Sequence, residues 1–176
     1  VWDVSANNDN SIVAWATQNN SNGALKVNIA SYNTIYANTN ASYLFANIGY
    51  SSICTETTTL KNLNALHTAG VTNMNCMFYR TGYRTMTSLD LGSNFYTSNV
   101  TTMQYMFRST GYTAMINLKL GDYFDTSGVI YMNNMFTQCG YYKLTELNLG
   151  VKFDTRKVIN MNKMFYLTGR YSLTKL

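Results

Sequence analysis

The sequence predicts an α/β repeat fold: a solenoid of 29-residue strand–bend–short helix units, with a parallel sheet along one side and a β-rich N-terminal cap. Three observations carry the prediction. First, Leu89–Met115 (LDLGSNFYTSNVTTMQYMFRSTGYTAM) recurs as Leu118–Leu144 and Leu147–Leu173, after a weaker copy at Leu60–Met86. Second, the pairs Met77-Phe78, Met106-Phe107, Met135-Phe136 and Met164-Phe165 fall 29 residues apart, a period that marks one supersecondary unit stacked on copies of itself. Third, the apolar spacing inside each copy switches from two residues to a helical pattern.

The expected cap spans residues 1–59 and lacks the period. VWDVSA and ALKVNIAS alternate as strands do, while Asn7–Asn10 and Gln18–Gly23 are turn-forming clusters. Between them SIVAWAT (Ser11–Thr17) is compatible with strand or helix. Both tryptophans, Trp2 and Trp15, fall here, and two buried rings would give a cap its own core. Ser42–Tyr50 (SYLFANIGY) echoes the later MF…TGY pattern at an offset of 33 residues and reads as a degenerate half-repeat. Four repeats and the start of a fifth then fill 60–176.

Within a repeat, Leu89 and Leu91, Leu118 and Leu120, and Leu147 and Leu149 point one way from a short strand. Asp90, Lys119 and Asn148 between them point to solvent. Gly92, Gly121 and Gly150 mark a bend, followed by Phe95, Phe124 and Phe153. Val100, Met103 and Phe107 are then spaced i, i+3, i+7, with Met106 beside them, which predicts a short helix. Thr97 or Ser98 is placed to be its N-cap, with the corresponding Thr at Thr68, Thr126 and Thr155, and Gly82, Gly111, Gly140 and Gly169 stand as its left-handed stop. All ten methionines lie in aligned columns, so they are read as core.

The chain has 176 residues, enough to bury roughly 70% of its unfolded surface. Charged residues are only 12% and there is no Pro, so turns fall to Gly, Asn, Asp, Ser and Thr. No apolar run approaches the ~20 residues that cross a bilayer. Without an initiator Met or signal at Val1, the sequence reads as a mature or excised piece. Lys26 opposes Asp3, Asp9 and Glu56 in residues 1–59, whereas 60–176 hold twelve basic and five acidic residues. Cys76 and Cys139 lie two repeats apart, at least ~9.6 Å if strands stack, which exceeds disulfide reach. Only Cys54–Cys76 remains open to pairing. His67 is the single His and has no CxxC or HxxxH partner, so no metal site or cofactor is expected.

The Leu-x-Leu strand, the FDTS, FDTR and FYTSNV bends and the V-x-x-M-x-x-M-F segment resemble the BspA-like leucine-rich-repeat family of bacterial surface proteins and mycoplasma-type lipoproteins. WDVSA…VAW resembles the segment that commonly precedes such arrays. The resemblance implies a right-handed solenoid, a cell-surface or extracellular location and adhesive roles, and it supplies no catalytic residues. The first repeat departs from the pattern at Asn62 and His67, and no lipoprotein signal or wall anchor is present.

The chemistry expected is binding rather than catalysis. Asp125 and Asp154 occupy equivalent repeat positions and would form a ladder ~5 Å apart, a spacing that suits retaining glycosidases. Repetition produces such ladders automatically, and Asp at a turn usually caps it. Two surfaces remain as candidates for a protein or glycan partner at a cell or host surface. One is the strand column Asp90, Lys119 and Asn148. The other is the column Tyr83, Tyr112 and Tyr141 with Arg84, Arg170 and Tyr171 alongside, able to stack on sugars or to anchor a protein. Nucleic acid is disfavoured because Lys61, Arg80, Arg84, Arg108, Lys143 and Lys157 are scattered along the chain. The last residues, Leu173–Leu176, begin a fifth strand, so either further repeats or another domain follow in a longer chain, or the C-terminal repeat edge offers a route to self-association, head to tail.

Overall fold

The computed structural model describes residues 2–3, 12–18, 25–51 and 57–176. The chain divides into two compact units, Val1–Tyr36 and Ala37–Leu176. Ser42–Tyr50 therefore belongs with the repeats and not with the opening segment. In the first unit β1 (Trp2–Asp3), β2 (Ile12–Gln18) and β3 (Leu25–Ser31) form an antiparallel sheet in that order. The register places Trp2 opposite Ala14 and Ile12 opposite Ser31. β-Branched and aromatic residues settle residues 12–17 of SIVAWAT as strand, and Ser11 lies outside the described residues. Ala14 is buried, but Trp15 is only half-buried. The Trp2 side chain, Asn7–Asn10, 19–24 and Cys54 lie outside the described residues. β4 (Ile35–Tyr36) closes this unit.

In the second unit the repeats lie side by side in register. β6 (Ser88–Asp90), β7 (Asn117–Lys119) and β8 (Glu146–Asn148) pair parallel, with Leu89 opposite Leu118 and Leu118 opposite Leu147. Each leucine is buried between two exposed neighbours, the alternation that the period of two requires. The weak first copy lacks a matching strand. Asn62 takes a left-handed φ of 58°, a 3₁₀ turn (Leu63–Ala65) follows, and β5 is only Leu66–His67.

The short helices expected over the V-x-x-M-x-x-M-F segments do not form. Among the described residues there is no α-helix, and residues 75–85, 104–114 and 133–143 are consecutive turns. Tyr105 and Ser109 have φ of 58° and 57°, and Asn134 and Gln138 both 58°. A right-handed helix cannot pass through such residues. Some of the N–H groups close i to i+3 turns, as Met106 N does on Met103 O and Arg108 N on Tyr105 O. Others donate to the next repeat: Met103 N to Tyr131 O, Tyr105 N to Asn133 O, Phe107 N to Met135 O and Ser109 N to Thr137 O, at 2.8–3.1 Å. Carbonyls that a helix would satisfy internally are satisfied by a neighbour. The half-repeat obeys the same pattern, since Tyr43, Asn47 and Gly49 have φ of 62°, 61° and 68°. Tyr43 N, Phe45 N and Asn47 N donate to Asn75 O, Met77 O and Tyr79 O.

The threonines expected as N-caps are struts between repeats. Thr68, Thr97 and Thr126 are fully buried, and each hydroxyl donates at 2.8 Å to a carbonyl of the next repeat, at Tyr96, Asp125 and Asp154. Gly111 does take the left-handed conformation expected of a stop residue, at φ 53°. A Cβ there would lie 2.4 Å from the Met115 Cβ, so close approach as well as backbone conformation demands glycine.

The core runs continuously through the repeats. Val71, Val100 and Val129, Met74, Met103 and Met132, and Met77, Met106 and Met135 are all fully buried. Phe45, Phe78, Phe107, Phe136 and Phe165 stack ring on ring at 5.3–5.5 Å between centroids. Cys76 and Cys139 carry free, buried thiols.

Candidate functional site

The strand register sets Asp90, Lys119 and Asn148 side by side on one exposed row. The Lys119 Nζ lies 3.6 Å from an Asp90 carboxylate oxygen in an exposed pair, which contributes at most about 1 kcal/mol. Asp90 and Asn148 also accept the N–H of Gly92 and Gly150 at 2.9 Å, closing the bend that follows each strand. The three residues predicted as one surface are thus together, and two of them are engaged in turn formation.

Tyr83, Tyr112 and Tyr141 are also brought together, as a ladder of rings packed on one another. Tyr83 and Tyr112 stack with centroids 4.7 Å apart and planes 3° from parallel, and Tyr112 and Tyr141 at 4.6 Å and 12°. Each ring face is spent on its neighbour, so these tyrosines cannot sandwich a sugar or base. They offer their edges and hydroxyls instead. The ribbon includes Tyr171, as the sequence reading placed it, and extends at the other end to Tyr50. Tyr50 meets Tyr83 edge-on at 5.3 Å, and Tyr171 meets Tyr141 edge-on at 5.3 Å and stacks on Tyr142 at 5.4 Å. The signal for Tyr50 was available, because it precedes Tyr83 by the same 33 residues that relate the half-repeat to the first repeat.

Burial, followed by the neighbouring phenols, pushes Tyr112 up to about 12. Burial likewise raises Tyr83 and Tyr141 above the usual phenol value. Tyr171 moves the other way because it shares a hydrogen bond with the Tyr141 hydroxyl and lies by Arg170. At neutral pH Tyr83, Tyr112 and Tyr141 are therefore protonated phenols. Arg80, beside it, places its guanidinium 4.9 Å from the centroids of both Tyr50 and Tyr79.

The paired carboxylates act as turn caps. The Asp125 carboxylate accepts the Ser127 N–H at 2.9 Å, and that bond with the Ser127 side chain holds it below the usual range. The Asp154 carboxylate accepts from Arg156 N, Nε and Nη2 and is pulled down to about 2. Among the described residues no cluster of His, Cys, Asp and Glu is suited to a metal ion. No helix there is long and apolar enough to cross a membrane.

Stacked 29-residue turns carrying an aromatic ribbon define a repeat protein, and the family follows from the sequence of those turns. The model of a family described as Mycoplasma protein of unknown function, DUF285, matches residues 39–174, and the chain belongs to that family. The matched span coincides closely with the second compact unit. Neither the curated proteins nor the solved structures contain a match.

Proposed function

We propose that this chain is a non-enzymatic binding or adhesion module, displayed at a bacterial cell surface or released from it. It presents one wall of a right-handed leucine-rich-repeat-like solenoid, of the BspA-like kind, to a protein or glycan. The observation that supports the reading is the tyrosine ribbon. Phe, Met, Val and Leu columns already fill the core, and the ribbon forms a second continuous aromatic column outside it. Partly exposed Tyr edges with adjacent Arg are the residue types that anchor protein and carbohydrate partners. Asp125 and Asp154 are taken up in capping turns, the role an Asp column has at repeated bends.

The test is an array of glycans and host-surface proteins probed with the purified chain and with Tyr112→Phe, which keeps the stack and deletes one hydroxyl. Binding that weakens in the variant supports the reading. Absence of binding across the array, or cleavage of an arrayed glycan, overturns it.

A second reading is a structural subunit that stacks through its open ends. It is favoured by the two end layers. The N–H groups of Lys163, Phe165 and Leu167 have no backbone acceptor among the described residues, whereas their counterparts at Tyr105, Phe107 and Ser109 donate to the next repeat. At the other end the carbonyls of Ser42, Leu44 and Ala46 receive no backbone N–H among the described residues.

A further inference from the structure

The charges of the repeats are sorted by wall, which the linear sequence conceals. The turn segments 72–86, 101–115, 130–144 and 159–173 contain Arg80, Arg84, Arg108, Lys143, Lys163 and Arg170 and no Asp or Glu. Within 60–176 the carboxylates are Asp90, Asp122, Asp125, Glu146 and Asp154, all on strand and bend segments. The ion pairs among the described residues join Lys119 to Asp90, Arg156 to Asp154 and Lys175 to Glu146. The six cations of the turn wall take part in none of them. Several rest on tyrosine faces instead: Arg80 on Tyr50 and Tyr79, Arg108 on Tyr105 at 5.5 Å, and Arg170 on Tyr171 at 5.7 Å. A guanidinium lying on a ring is held in place without neutralisation, and its N–H edges stay available to an anion.

Three of these cations border the tyrosine ribbon. Arg80 and Arg84 both act on the Tyr83 phenol, and Arg170 acts on Tyr141 and Tyr171. We propose that the ribbon from Tyr50 to Tyr171, bordered by Arg80, Arg84 and Arg170, is a track for a linear anionic glycan held through its sulfate or carboxylate groups. This rests on the binding-module reading above and names its ligand class. The guanidiniums supply charge-assisted hydrogen bonds to the anionic groups, and the protonated phenols donate between them. A glycan fits better than a nucleic acid because single-stranded binding sites stack bases on free aromatic faces. Here Tyr83, Tyr112 and Tyr141 are stacked on one another.

The test uses the purified chain against heparin and hyaluronan as sulfated and carboxylated chains. Dextran serves as a neutral chain, and an oligothymidylate and phosphatidylserine vesicles serve as other polyanions. The double variant Arg80→Gln/Arg84→Gln is compared with Lys157→Gln, a cation on a bend segment outside the turn wall, with melting curves taken for each. Expected are binding to heparin or hyaluronan that weakens as salt is raised, a loss of about tenfold or more in the double variant from two missing charge-assisted contacts, and no change in Lys157→Gln. Equal losses in both variants reveal non-specific ionic attraction and overturn the track. Tighter binding to the oligonucleotide or to vesicles overturns the glycan assignment. Binding to dextran or to an arrayed protein without heparin or hyaluronan binding overturns this inference alone, and failure with every probe overturns the binding-module reading with it.

Discussion

Cys139 stands where the other repeats place threonine. Thr81, Thr110 and Thr168 occupy the equivalent positions, and their hydroxyls donate to the carbonyls of Phe45, Phe78 and Phe136 at 2.6–2.7 Å. The corresponding acceptor for residue 139 is Phe107 O, and a thiol is a weak donor in place of a hydroxyl. Cys139 is wholly buried, and burial pushes its thiol up, so it behaves as an inert packing group. Cys139→Thr should restore the missing strut and raise stability by about 0.5–1.5 kcal/mol, the net worth of one hydrogen bond. Cys139→Val, with similar volume and no donor, should give no such gain. Urea denaturation of the three proteins decides it, and a gain shared by Val would attribute the effect to packing. The same columns show what was legible in the sequence. Positions such as Val100, Met103 and Phe107 were identified as core because burial selects residue type directly, copy after copy. Thr97 was recognised as a recurrent cap but given the wrong acceptor. Its carbonyl partner, Asp125, is 28 residues away and is reached only once repeats stack.

At the scale of the element, the strand was readable and the helix was not, for one physical reason. Spacing of i, i+3, i+7 serves a run of four-residue turns as well as a helix, since both return the chain to the same side every three to four residues. What separates them is a left-handed residue every fourth position, and in these repeats Tyr105, Ser109, Asn134 and Gln138 fill that place. Only Asn among these is a residue type that favours positive φ. The tyrosine column was legible as a column, but its self-stacking depends on the distance between repeats. That stacking has a pH signature. Because Tyr112 is raised from 10.0 to about 12 in the folded chain, the fold favours the protonated phenol. Its contribution is complete below pH 10 and is lost as pH climbs from about 10 to 12, where the unfolded chain has released the proton and the folded chain has not. Melting temperature should be insensitive to this group at neutral pH and fall across that alkaline window. Tyr112→Phe keeps the stack and should show a shallower alkaline fall. Parallel curves for the two proteins would place the destabilisation elsewhere.

At the scale of the molecule, each layer is completed by its neighbour, and the first and last layers lack one such backbone partner among the described residues. Met161 is 43% exposed, whereas Met74, Met103 and Met132 in the same column are fully buried. Leu44 is 47% exposed, and its counterpart one layer on, Met77, is fully buried. The two ends are complementary in hydrogen bonding. Applying the internal register to a second copy sets Lys163 N, Phe165 N and Leu167 N opposite Ser42 O, Leu44 O and Ala46 O. The same placement would carry the phenylalanine stack from Phe165 to Phe45. Apolar area and backbone donors would both favour that contact. The expected outcome is a weight-average mass that rises with protein concentration in sedimentation equilibrium, well beyond the 19.9 kDa of one chain. Leu44→Lys puts a charge where the next layer's core must close, so it should hold the protein at one chain's mass while leaving its melting temperature nearly unchanged. A wild-type mass that stays at one chain up to millimolar concentration sinks the stacking reading. So does a Leu44→Lys protein that associates as readily as the parent, since the contact would then lie on another face.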